Sequence, residues 1–206
     1  MDSPDCVHTS HSWTAAILAG GQARRLGGID KSALLIGTSS ILERQLSLLH
    51  GLTPHILIVA SDRSRVQAGD IRVVADRIAG AGALGGLYTA LMEAPTEQVL
   101  VIGCDMPFLN APFLTYLMER GGDADAVVDA VVPRDEHGRH PLCASYARRI
   151  AGHLHDRISA GDLRVGEALV DLAVQELGPD ELAPFNRDGR LLLNVNTPDD
   201  YARARS

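Results

Sequence analysis

Residues 14–21 read TAAILAGG, a short apolar run that ends on two glycines. A buried strand running into a glycine loop is the natural reading. Three similar runs follow: HILIVA at 55–60, IRVVA at 71–75 with Asp76 at its end, and VLVIG at 99–103, followed by Cys104-Asp105-Met106-Pro107. Helical segments separate them. Ser39 and Ser40 stand ready to cap a helix through Leu49, with Ile41, Leu42, Leu46 and Leu49 near helical spacing. Residues 84–94 read as a second helix, and 111–119 as a third that stops at Gly121-Gly122. The strands are unbroken apolar runs, as expected where both faces are buried. The expectation is a Rossmann-like α/β fold of three layers, with a mixed, mainly parallel sheet between helices.

Beyond Ala126 the pattern loosens. Stretches 126–132, 142–146 and 173–177 read as strands and 150–160 as a helix. LLLNV at 191–195 reads as a last strand, and Pro198 opens a short C-terminal helix. There is no internal repeat or linker, so residues 14–206 read as one domain and residues 1–13 as a mobile tail.

The chain has 206 residues and 46% apolar content, enough to bury a core. Its net charge of −7 argues against a whole-surface grip on nucleic acid. No apolar run is long enough for a bilayer, and residues 1–13 carry no apolar signal core. Cys6, Cys104 and Cys143 are odd in number and show no CxxC spacing, which fits a reducing cytoplasm. Apart from His140, the histidines form no metal-ligand spacing, and Met92, Met106 and Met118 read as core packing.

In such folds, function lies at the carboxyl ends of strands. Those ends hold Gly20-Gly21, Ala60-Ser61, Asp76, Asp105 and Asn196. The loop after the first strand carries the strongest chemistry. Its four glycines let backbone N–H groups approach a ligand, and Arg24, Arg25 and Lys31 add three cations, a combination suited to a triphosphate. It is neither a Walker A motif, because Asp30 precedes Lys31, nor a G-x-G-x-x-G dinucleotide loop. Asp105 at a strand end suits Mg²⁺, a hard ion, or else caps a turn. Asp76 orients a base, a ribose or a metal's waters, or simply ends a strand.

The stretch LAGGQARRLGGIDKSALL at 18–35 resembles the signature of molybdenum cofactor guanylyltransferases, within the wider nucleotidyltransferase fold. The resemblance continues through AGALGG at 81–86, CDMPFL at 104–109, RHP at 139–141, SAGDLRV at 159–165 and LNVNTPD at 193–199. It implies that Leu18, Ala19 and Gly20 lie against the nucleotide, with Gly21 completing the turn. Lys31 binds the phosphates, Asp76 contacts the nucleotide and Asp105 holds Mg²⁺. Arg25 and Gly28 match positions linked to activity, and Asn194 and Asn196 match paired asparagines near the reaction centre. Two positions depart from the family: Ala60 stands where guanylyltransferases carry an asparagine that touches the nucleotide, and GALGG at 82–86 replaces Gly-Pro-Leu-Ala-Gly. Leu-Ala-Gly-Gly itself resembles the guanine-using branch more than the cytosine-using one.

The implied reaction transfers GMP from GTP to the terminal phosphate of the molybdenum–molybdopterin cofactor, releasing pyrophosphate. Lys31, with Arg24 or Arg25, would steady the departing pyrophosphate. Arg139, His140, Arg164, Asn194 and Asn196 are candidates for holding the anionic acceptor. Molybdoenzymes or their chaperones are the expected recipients of the product. The alternatives are a CTP-dependent cytidylyltransferase or another nucleotidyltransferase, and a non-catalytic nucleotide-binding module. A serine hydrolase is disfavoured because no G-x-S-x-G occurs.

Overall fold

The apolar run at 14–18 sits inside the main sheet. The computed structural model describes residues 12–19, 33–62, 66, 68–123 and 127–205. β1 (Trp13–Leu18) pairs in parallel with β4 (His55–Ala60) on one side and β6 (Gln98–Gly103) on the other. β5 (Arg72–Ala75) continues the sheet beyond β4, also in parallel. On the far side, β9 (Cys143–Ala147) runs antiparallel between β6 and β7 (Ala130–Asp135). β10 (Val174–Leu177) then pairs in parallel with β7. The order is β10-β7-β9-β6-β1-β4-β5, with β8 (Gly138–Arg139) folded back on β7 as a hairpin. The sheet is therefore mixed and mainly parallel, as the apolar strands imply.

The period-two geometry of a strand sorts the core into two layers. Ala16, Leu18, Val99 and Val101 pack under α2 (Gly82–Glu93) and α4 (Ala151–Ser159). Their neighbours Ala15, Ile17, Leu100 and Ile102 face α1 (Ile41–His50) and α3 (Ala111–Gly121). The start of α1 follows from its serine: Ser40 accepts the Glu43 N–H at 3.2 Å, and the Glu43 carboxylate takes the Ser40 N–H at 2.7 Å. This reciprocal capping box satisfies two end donors. Asn110 caps α3 at Phe113 N–H, 3.0 Å away. Pro198 opens α7 (Pro198–Arg205) as read.

Several short elements escape a periodicity reading. β2 (Leu35–Ile36) and β3 (Ser39–Ser40) form a hairpin turning at Gly37, whose φ of 67° suits glycine. α5 (Val165–Ala168) and α6 (Pro179–Leu182) are single turns.

Three expectations need correction. Trp13 belongs to β1 and not to a tail: it pairs with Gln98, and its side chain is buried. Residues 1–11 lie outside the described residues. The 191–195 run is not a strand either. Leu191 and Leu192 instead pack beneath the α3 side of the sheet, and Val195 joins Leu34, Ile36 and Ile41 in a third cluster. The 126–132 strand starts later, at Ala130.

Gly121 shows how tightly the α3 layer is built. A Cβ there would lie 2.3 Å from Ser145 Oγ, 2.9 Å from Ser145 Cβ and 3.0 Å from Trp13 Cη2. Strand β9 and a buried indole leave little room to relax. Gly121→Ala is expected to cost about 2–3 kcal/mol, lowering the melting temperature by roughly 5–10 °C in a domain of this size. An unchanged melting temperature would mean that the α3–β9 contact is looser than described.

Candidate active site

The chain leaves β1 towards β4 and β5, then crosses back to lay β6 on the other side of β1. The strand order thus reverses at β1, and the crevice beyond the carboxyl ends of β1 and β6 is the switch point where α/β sheets hold ligands. Leu18 is in register with Gly103 of β6 and with Val59 of β4. The Leu18 carbonyl accepts the Cys104 N–H at 3.2 Å, and the Ala19 N–H donates to the Val59 carbonyl at 2.8 Å. Asp105 therefore stands two residues past β6, directly beside the start of the glycine loop.

That loop's central residues, including Gly20, Gly21, Arg24, Arg25, Gly28 and Lys31, lie outside the described residues. Its two ends do not. The chain departs at Ala19, next to Cys104, and its returning residue Leu34 packs in one cluster with Val195. The Val195 N–H in turn donates to the Asp105 carbonyl at 2.8 Å. Both ends of the cationic loop are thus tied to the aspartate's own surroundings.

The turn that carries Asp105 is held from four directions. Gly103 N–H donates to the Leu142 carbonyl at 2.6 Å, and Cys104 N–H reaches Leu18. The amide nitrogen of Gln45, on α1, donates to the Gly103 carbonyl at 2.8 Å and to the Met106 carbonyl at 3.1 Å. Arg44 Nε reaches the Pro107 carbonyl at 3.3 Å. Gln45 is 1% exposed, and its Oε1 has no partner among the described residues. A buried orphan acceptor costs about 1–3 kcal/mol, set against the two bonds its amide makes. The Gly103 backbone also hugs the carboxylate: a Cβ at this position would meet Asp105 Oδ1 at 2.8 Å.

Ala60 ends β4, buried, and Asp76 follows β5, half-buried. Burial raises the Asp76 carboxyl above its ordinary value. Asp76 and Leu18 converge on α2 although β4 lies between their strands. A Cβ built on Gly86 would lie 3.6 Å from Leu18 Cδ1 and 3.8 Å from Asp76 Oδ1. The Arg77 N–H, donating to Thr89 Oγ1 at 3.0 Å, pins the chain after Asp76 to the same helix.

Asn194 and Asn196 flank Val195 and so come to the Asp105 turn without forming a strand. The Asn196 and Thr197 N–H groups both donate to Asp200 Oδ2, at 3.0 and 2.9 Å. Burial would raise the Asp200 carboxyl, but these donors with Thr197 and Arg203 outweigh it and hold it low. His140 and Arg139 lie at the same sheet edge, next to β9. His140 Nε2 is 2.8 Å from Asp135 Oδ2. Burial pushes the Asp135 carboxyl up, yet His140 and His137 prevail and keep it low. Arg139 Nε donates to Glu176 at 2.6 Å, and Arg134 reaches the same carboxylate at 3.0 Å. Arg164 is not drawn into this group: its side chain is exposed, 3.6 Å from Glu167.

Gln45 and the Gly103 backbone are the groups that sequence reading passed over. The signal for Gln45 was present. A lone polar residue occupies the buried face of α1 together with Ile41, Leu42 and Leu49.

A switch point at which the start of a glycine-rich, cationic sequence meets a strand-end carboxylate is the arrangement expected of a protein that handles a nucleotide's phosphates. The MobA-like NTP transferase domain matches residues 15–172, and the chain belongs to that family of nucleotidyltransferases. It is 31% identical over 194 residues to a probable molybdenum cofactor guanylyltransferase of Pelotomaculum thermopropionicum, covering 93% of this chain and 91% of the relative. A probable molybdenum cofactor guanylyltransferase of Chloroflexus aggregans is 33% identical over 186 residues, with 89% of each chain covered. Among solved structures, molybdopterin-guanine dinucleotide biosynthesis protein A of Archaeoglobus fulgidus superposes with a TM-score of 0.80 at 27% identity. That match covers 93% of this chain and 96% of the other.

Proposed function

We propose that this protein transfers GMP from GTP to the terminal phosphate of the molybdenum–molybdopterin cofactor. The observation that carries the reading is the Leu18–Gly103 register, which brings the start of the phosphate-type loop against the Asp105 turn. The names borne by relatives that span most of the chain favour guanine as the base and the molybdopterin cofactor as the acceptor.

In this reading an oxygen of the acceptor's terminal phosphate attacks the α-phosphorus of GTP in line. The bond from that phosphorus to the β-phosphate bridge breaks, and pyrophosphate departs with the electron pair. No covalent protein intermediate is needed, so positioning and charge neutralisation supply the catalysis. Lys31, with Arg24 or Arg25, neutralises the leaving pyrophosphate. Leu18, Ala19, Gly20, Gly21 and Gly28 shape the nucleotide's bed, and Ala60 and Asp76 border it. Asn194, Asn196, Arg139 and His140 stand on the acceptor side. Arg164, bound up with Glu167, is the weakest member of that group.

Asp105 would hold Mg²⁺. Among the described residues no group of three or more His, Cys, Asp or Glu could hold a metal. An ion here would draw its remaining ligands from phosphate and water, which is how Mg²⁺ is ordinarily bound. When bound, Mg²⁺ supplies Lewis-acid polarisation of the phosphate oxygens. No helix among the described residues is long and apolar enough to cross a membrane. A cytoplasmic enzyme that passes its product to molybdoenzymes or their chaperones fits this reading.

Calorimetric titration with GTP, CTP, ATP and UTP in Mg²⁺ tests the choice of base. GTP is expected to bind at least about tenfold more tightly than CTP, or about 1.4 kcal/mol. Preference for CTP would move the protein to the cytidylyltransferase branch with the same chemistry. Binding of GTP without pyrophosphate release in the presence of acceptor would make it a non-catalytic module.

A further inference from the structure

We propose that Gln45 is a positioning residue that sets the metal-holding geometry of Asp105 from beneath the site. The proposal rests on the reading of Asp105 as the Mg²⁺ ligand. A single amide nitrogen on α1 binds the carbonyls of Gly103 and Met106, the residues that bracket Cys104 and Asp105. Its two N–H donors span the ends of the turn, so the turn cannot open without losing one of them. The side chain is wholly buried, and so acts on the site only through this turn.

Two further features mark the amide as a device for the turn more than for general packing. Among the described residues its Oε1 has no partner in an apolar layer, an acceptor left unsatisfied that leucine or methionine at this position would not carry. The bare Gly103 backbone leaves just enough room for Asp105 Oδ1. The carboxylate is thus limited by the close Gly103 backbone and by the clamped turn that carries it. Mg²⁺ tolerates little departure from octahedral geometry, so small tilts of a carboxylate that holds it would weaken its binding.

The test measures binding of a fluorescent GTP analogue to the intact protein, with Mn²⁺ and with EDTA, beside steady-state kinetics in Mg²⁺. Gln45→Met keeps the volume and removes the amide. It is expected to weaken analogue binding about tenfold in Mn²⁺ and less than twofold in EDTA. In Mg²⁺, kcat/KM for GTP should fall at least about tenfold, in step with the lost metal-linked affinity. If Gln45→Met does not fold, Gln45→Asn, which keeps the amide but lacks the reach to both carbonyls, carries the same expectation. Asp105→Asn is titrated in parallel. If Asp105→Asn loses the Mn²⁺-linked affinity and a folded Gln45 variant retains it, the positioning role is overturned and the metal reading stands. If Asp105→Asn binds like the unaltered protein in Mn²⁺, both fall.

Discussion

Replacing Asp105 by alanine is expected to lower GMP transfer by at least about 10²–10³-fold, the loss typical of removing one preorganised group that stabilises transition-state charge. The fold should survive. Asp105 is half-buried at the rim of the sheet, and backbone groups and Gln45 hold its turn from several sides. Circular dichroism and the melting temperature should stay near those of the unaltered protein while labelled GMP stops reaching the acceptor. The defect should be one of kcat more than of KM, because the metal's interactions strengthen as charge shifts toward the leaving pyrophosphate. Near-normal transfer by a purified Asp105→Ala variant would remove Asp105 from the mechanism.

Lys31→Ala is expected to cost a similar 10²–10³-fold, through the pyrophosphate instead of the metal. The ammonium is a compact point charge on a flexible stem, and an arginine fork of different shape does not reproduce its placement. Lys31→Arg should therefore recover only part of the loss. The double variant Lys31→Ala/Asp105→Ala should fall well short of the product of the two single losses. Groups that act on one polyanion are not additive, whereas independent sites are. Strict multiplication of the two effects would mean that the residues serve different ligands.

The strands and the placement of Asp105 were legible because buried parallel strands leave a plain trace: apolar runs ending in small or acidic residues. The Ser40 cap was legible for a local reason, since its bonding partner is three residues away. What failed was what depends on partners distant in sequence. LLLNV at 191–195 has strand composition, yet its leucines and Val195 fill two apolar clusters formed with residues distant in sequence. Trp13 looked like the last tail residue because nothing in the sequence shows that Gln98 and Gly121 stand ready to receive it.

The site divides in the same way. Leu18, Ala60, Asp76 and Asp105 could be placed from strand ends alone. Asn194 and Asn196 reach the Asp105 turn through one backbone bond from Val195, which no periodicity announces. The glutamate beside each acceptor candidate, Glu176 at Arg139 and Glu167 at Arg164, becomes visible only in the structure. Gln45 carries no reactive chemistry of its own. Its importance lies in two carbonyls about sixty residues away, visible only once the turn has folded over α1.

The account depends on one triphosphate being gripped from two sides. The most direct measurement is a crystal structure with Mg²⁺ and a non-hydrolysable GTP analogue. It should show Lys31 Nζ on the phosphates and the Asp105 carboxylate on a metal bound to those same phosphates, with the guanine lying toward Ala60 and Asp76. A nucleotide seated elsewhere, or a Lys31 side chain turned away from the ligand that Asp105 faces, would contradict it.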